Sequence, residues 1–115
     1  MLLVVSVEEE LGPIRVTGRV VIAAEPRMHR MNTAAVIASN GDILVTYDEG
    51  TDHHRTLDEV LMLARSTDGG RTWGYKKAMA ALPGWSFWAH HGLVRLSDGT
   101  LLHPWRPTSA AARPI

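Results

Sequence analysis

The sequence predicts an all-β fold of antiparallel strands, and three observations carry that prediction: short Val- and Ile-rich runs, Asn-Gly and Asp-Gly turns between such runs, and a hairpin sequence that occurs twice. Residues 14–24 interleave Val and Ile with polar residues, as a half-buried strand does. Residues 33–39 and 42–47 are short apolar runs on either side of Asn40-Gly41. Asn-Gly is a strong signal for a two-residue type I′ hairpin turn, because both central positions there need positive φ. Residues 59–65 (EVLMLAR) have a helical composition, yet the run is only seven residues long and sits between loop signals, which predicts a strand. Residues 75–81 are compatible with either an edge strand or a helical turn. Residues 92–97 and 100–105 flank Asp98-Gly99 and form a second hairpin.

The two hairpins align with each other. VIASNGDILVTY (36–47) set against VRLSDGTLLHPW (94–105) places Val36 on Val94, Ser39 on Ser97, Gly41 on Gly99, Leu44 on Leu102 and Tyr47 on Trp105, always 58 residues apart. One hairpin repeated, with another strand pair between copies, is what successive blades of a β-propeller give. The spacing exceeds the roughly 40–50 residues of compact blades, and the loop 48–57 absorbs the excess. The expectation is therefore about two blades of antiparallel four-stranded sheets. The first spans about residues 27–81 and the second begins at about 88–107.

Composition narrows the partners. Twelve Lys and Arg balance twelve Asp and Glu, so no field of one sign favours nucleic acid or an anionic membrane surface. With no cysteine, neither disulfides nor thiolate metal sites are available. The apolar start, residues 1–7, lacks a basic leader and runs into Glu8-Glu9-Glu10, a poor match to a secretory signal. A cytoplasmic location follows if Met1 is the true start. No run approaches the roughly 18 apolar residues of a membrane span.

Between the hairpins lies Ser66-Thr67-Asp68-Gly69-Gly70-Arg71-Thr72-Trp73, which has the pattern S-x-D-x-G-x-T-W. These residue types suit a self-supporting turn. An Asp carboxylate accepts nearby backbone N–H groups, Gly supplies a left-handed conformation, Ser and Thr hydroxyls tie the flanks, and the Trp ring folds under the loop. Ser66, Asp68, Gly70, Thr72 and Trp73 are accordingly read as determinants of the fold and not as catalytic groups.

This pattern is the Asp box, and the segment around it resembles the sialidase (neuraminidase) superfamily of BNR/Asp-box repeat propellers. In order, His29-Arg30-Met31-Asn32 leads into a strand, the Asn40-Gly41 hairpin follows, and then come a loop, a strand ending in Arg65 and the box. The resemblance covers about residues 27–106. It implies a six-bladed propeller in which the box joins the third and fourth strands of a blade, on the face away from the active site. It also implies hydrolysis of terminal sialic acid or a related acidic sugar, with three arginines clamping the substrate carboxylate through planar, two-bonded guanidinium contacts. An Asp on a loop of the first blade would be the general acid/base, and a Tyr with a Glu partner the nucleophile, outside the usual two-carboxylate scheme. Arg30 matches the first clamp arginine. Asp48, Asp52 and Asp58 are available as the acid/base, and Asp52 is favoured because it lies in mid-loop. No cofactor or metal is implied.

The sequence departs from the family where Met31-Asn32 replace Ile-Pro and where Glu49-Gly50 stand in place of an arginine. The other clamp arginines, the Tyr and its Glu would belong to later blades. Two functions from different classes follow: an exo-sialidase-like glycoside hydrolase fragment, inactive alone, or a non-catalytic Asp-box propeller that binds carbohydrate or protein. Neighbouring histidines on a strand point to opposite faces, so neither His53-His54 nor His90-His91 supplies two ligands to one ion. Trp85, Phe87 and Trp88 are expected between blades. An open stack of two blades leaves apolar faces and strand edges that favour self-association, and three copies would close a ring.

Overall fold

The computed structural model describes residues 3–4, 18–51, 58–89 and 92–109, and all regular structure among them is β. A short antiparallel pair, β1 (Leu3–Val4) and β2 (Val21–Ala23), precedes the main sheet. That sheet is a four-stranded antiparallel meander in the order β3-β4-β5-β6, formed by β3 (His29–Ile37), β4 (Ile43–Gly50), β5 (Val60–Ser66) and β6 (Gly74–Ala80). Four further strands follow: β7 (Trp85–Ala89), β8 (Val94–Arg95), β9 (Leu101–Leu102) and β10 (Trp105–Ser109). They pair β7 with β10 and β8 with β9, so they are two bands of one hairpin. Gly92 (φ 131°) and Pro104, which has no N–H to donate, face each other at the break between the bands.

Residues 60–66 form a strand despite their Leu, Met and Ala because they pair on both sides, with β4 and with β6. Tertiary pairing overrides local propensity there. The undecided segment 75–81 is an edge strand, β6, exposed along nearly its whole length. Its solvated surface gave it no apolar period to read.

Alternation along β4 builds two cores, one on each face of the sheet. Val45 and Tyr47 point to one face and, with Ala64, Ala23 of β2 and the partly buried Trp73, form the first cluster. Leu61 points to the other face and packs on Phe87 and Ala89 of β7. The sheet is thus covered by β2 on one side and by the second hairpin on the other. Phe87 is buried as expected, with its ring 5.3 Å from that of Trp105, whereas Trp85 is exposed.

The 58-residue repeat is visible atom by atom in the turns. Gly41 N–H donates to Ala38 O at 2.9 Å and Gly99 N–H to Leu96 O at 3.0 Å; Ala38 N–H donates to Asp42 O and Leu96 N–H to Thr100 O, both at 2.8 Å. Asn40 Oδ1 accepts the Asp42 N–H and Asp98 Oδ1 the Thr100 N–H. Only the glycine of each turn has positive φ, 90° in both cases. Each turn is therefore a three-residue loop ending in a left-handed glycine, not the expected two-residue type I′ turn. The side-chain bond from residue 40 or 98 holds its own backbone in the right-handed turn region, which removes the need for a second positive φ. The two turns also touch, since a Cβ on Gly99 would lie 2.8 Å from Ser39 Oγ, and Arg95 Nη1 donates to Ile37 O at 3.0 Å.

Leu61 has no exposed surface and sits where β5, β6 and β7 meet. Leu61→Ala is expected to destabilise the chain by about 2–5 kcal/mol, whereas Met79→Ala on the exposed edge strand should change stability by less than about 0.5 kcal/mol. Urea denaturation followed by tryptophan fluorescence checks both.

Candidate functional site

The two ends of the four-stranded sheet differ in chemistry. One end carries the turn at 39–41 and the loop 66–73, which joins the third and fourth strands. The opposite end, about 20 Å away at roughly 3.3 Å per residue along β4, carries Arg30, Asp48, Glu49 and Glu59.

At the first end, Asp68 organises the loop. Asp68 Oδ1 accepts the Thr72 N–H at 2.9 Å and the Ser66 hydroxyl at 2.8 Å, and Oδ2 accepts the Thr72 hydroxyl at 2.5 Å. Ser66 Oγ accepts the Gly70 N–H at 2.9 Å. The Trp73 indole N–H donates to Gly70 O at 3.0 Å while its ring joins the first core. Gly69 (φ 76°) and Gly70 (φ 90°) supply the left-handed backbone. The Thr72 donors and then Ser66 hold the Asp68 carboxyl well below the ordinary carboxylate range. Arg65, the residue immediately before the loop, reaches across to Asp42, with Nε at 2.7 Å, and ties loop to turn. The side chains of Ser66, Asp68, Thr72 and Trp73 are all engaged in holding the loop's own backbone or one another.

At the opposite end, Arg30 lies at the start of β3 directly across from Glu49 in the sheet register. Its guanidinium has no exposed surface. Nε donates to Glu49 Oε2 at 2.7 Å, Nη1 to Glu25 O at 3.3 Å, and Nη2 to the Glu25 carboxylate. Glu25 is bound on its other oxygen by Lys76 Nζ at 3.3 Å. A backbone hydrogen bond at Glu25 and the Lys76 contact lower its pKa. Tyr47, fully buried on the same face, has its phenol pKa raised, first by burial and then by the Glu49 charge, with Arg30 opposing.

The other face of the same end is also polar. Asp48 is buried and accepts the Asn32 amide on Oδ2 at 2.8 Å. Asn32 reaches it from a left-handed position (φ 53°) at the β3 irregularity. Burial raises the Asp48 pKa, and the Asn32 bond only partly offsets this. Glu59, also buried, accepts the Ser86 hydroxyl, and its backbone O accepts the Phe87 N–H at 3.0 Å. Thr46 and His103 meet at 3.0 Å between the two hairpins.

Arg30, expected from the resemblance to be the first clamp arginine, has its guanidinium engaged by the chain's own carboxylates. Asp58 accepts the Thr51 N–H at 3.3 and 3.4 Å and the Thr51 hydroxyl, which closes the mouth of the loop. Asp52, the favoured acid/base, lies outside the described residues, as do His53, His54, His90 and His91. No group of three or more His, Asp or Glu side chains suited to a metal ion occurs among the described residues.

Sequence reasoning missed Glu25, Asn32, Lys76, Glu59 and Ser86. The internal repeat held a signal for some of this end. Arg30, Asn32, Asp48 and Glu49 fall on Trp88, His90, Arg106 and Pro107 at the 58-residue spacing, while the turn residues at the other end recur. Scaffold positions repeat and the polar end does not. No protein-family model, curated protein or solved structure matches the chain.

Two stability predictions follow from the titrating groups. Asp68 is more acidic in the fold than in the unfolded chain, whose ordinary value is 3.8; its contribution is full above that pH and fades as pH falls below it. Asp68→Ala should lower the melting temperature at pH 7, with the difference shrinking steadily below pH 3.8. Asp48 has the opposite sign: the unfolded chain ionises first, so its ionisation weakens the fold as pH rises above 3.8. Asp48→Asn should raise the melting temperature at pH 7 and leave it unchanged near pH 3, as read by thermal scans across that range.

Proposed function

We propose that this chain is a section of a sialidase-like Asp-box β-propeller, and that the Arg30 end of its four-stranded sheet binds an acidic sugar. The observation that carries this reading is polarity along one sheet: an Asp-box turn between the third and fourth strands at one end, and at the other a guanidinium oriented by Glu49 at the start of the first strand. A four-stranded meander covered on both faces by other strand pairs is also the environment a propeller blade has. Glu49 fixes the plane of the Arg30 fork, so a ligand carboxylate would meet donors already aligned.

Hydrolysis would draw its proton from an Asp of the loop after β4, with Asp52 the first choice. Burial raises the Asp48 pKa, the direction a proton donor needs, but the group is buried between the two hairpins. A second reading, binding without catalysis, is favoured by a specific observation. Glu49 stands where the family has an arginine, and it engages Arg30 itself in place of adding a second guanidinium to the clamp.

Isothermal titration with N-acetylneuraminic acid and with neutral N-acetylmannosamine tests the proposal. Binding of the acid alone is expected, weakened about tenfold or more by Arg30→Lys, which keeps the charge and loses the fork. Equal affinity for both sugars, or an unaffected Arg30→Lys variant, would sink it. Release of fluorophore from a fluorogenic sialoside separates the hydrolase from the binding module.

A further inference from the structure

Arg30 is held by two carboxylates of different kinds. Glu49 belongs to the facing strand and is mostly covered, with 15 % of its side chain exposed. Its position is set by the sheet register, so it acts as a wall of the site. Glu25 comes from the turn between β2 and β3, where Arg27 takes a left-handed φ of 66° and swings the chain back over the strand. More than half of the Glu25 side chain, 55 %, is exposed, while the arginine beneath it has no exposure at all. One carboxylate oxygen of Glu25 meets Arg30 Nη2 and the other meets Lys76 Nζ.

A carboxylate bridged by one guanidinium and one ammonium, open to solvent on its outer side, occupies a complete anion site. We propose that Glu25 is a built-in competitor: its side chain takes the place of a ligand carboxylate between Arg30 and Lys76, and an acidic ligand binds by displacing it. Lys76 is then the second cation of the site and helps to determine its specificity. Displacement is feasible because the Lys76–Glu25 pair lies at the surface, where such pairs contribute little. A tethered carboxylate acts at an effective concentration in the millimolar range. The affinity a ligand sees is therefore reduced by the fraction of chains in which Glu25 has moved away. This inference rests on the reading of Arg30 as a ligand anchor, but not on the ligand being a sugar.

Acetate is the probe, because it carries the carboxylate and nothing else. Titrated into the full chain and followed by the NMR signals of the Arg Nε–Hε and Lys side chains, it should bind weakly to the unaltered protein. Binding should tighten about tenfold in Glu25→Gln, as expected if Glu25 occupies the site nine-tenths of the time. Adding Lys76→Gln should take most of that gain away. Glu25→Asp, which keeps the charge and shortens the reach, should also tighten binding. In the unaltered chain, saturating acetate should move the Glu25 carboxyl signal towards that of a free glutamate, a readout that needs no variant. Unchanged or weaker acetate binding in folded Glu25→Gln and Glu25→Asp, or a Glu25 signal indifferent to acetate, would overturn the proposal. Tighter acetate binding without any N-acetylneuraminic acid binding would uphold the competitor and reject the sugar.

Discussion

Burial of β4 on both faces is the constraint on which the other features depend. Residues 45–48 of this strand are all buried, two on each side of the sheet. Such a strand would ordinarily be apolar throughout, yet here one face presents Val45 and Tyr47 and the other Thr46 and Asp48. Each buried polar group must find a partner or cost free energy. Thr46 meets His103 from the second hairpin, Asp48 meets Asn32, and the next residue, Glu49, meets Arg30. The chain therefore places its polar network and its covering elements together. The second hairpin is fixed against the sheet by Leu61 and Phe87 and also by the Thr46–His103 and Ser86–Glu59 contacts.

The scaffold was legible in the sequence because its signals are local. Asn40-Gly41 and Asp98-Gly99 mark their turns without help from distant residues, and the box from Ser66 to Trp73 satisfies its own hydrogen bonds. The turn type was misread for a reason equally local: the Asx side chain can bond its own backbone two residues on, which permits a three-residue loop with a single left-handed glycine. Edge strand β6 was ambiguous because GYKKAMA has no buried face to impose alternation. The site was less legible. Arg30 stood out through the order of its neighbours, but Glu25 and Lys76 meet 51 residues apart in sequence, and no spacing rule brings them together. Glu59 gave one faint sign, since only a glycine fits opposite it: a Cβ on Gly50 would lie 2.9 Å from Glu59 Cγ.

The internal repeat allows scaffold and site to be told apart within a single chain. Both hairpins fold to the same turn, with the same hydrogen bonds and the same glycine φ, so those residues serve the hairpin itself. At the far end the first copy pairs Arg30 with Glu49, whereas the second pairs Trp88 with Arg106. A buried ion pair is a poor source of stability compared with apolar groups of similar volume, because desolvation consumes the Coulombic gain. The second copy sets Trp88 opposite Arg106 at these positions, so the hairpin does not require a pair of opposite charges there. What the Arg30–Glu49 pair does provide is direction, since a guanidinium clamped by a carboxylate on one edge keeps a fixed plane for whatever approaches the other. In this structure Glu25 makes that approach. The loop that carries it is the part of the arrangement that the sheet register does not fix.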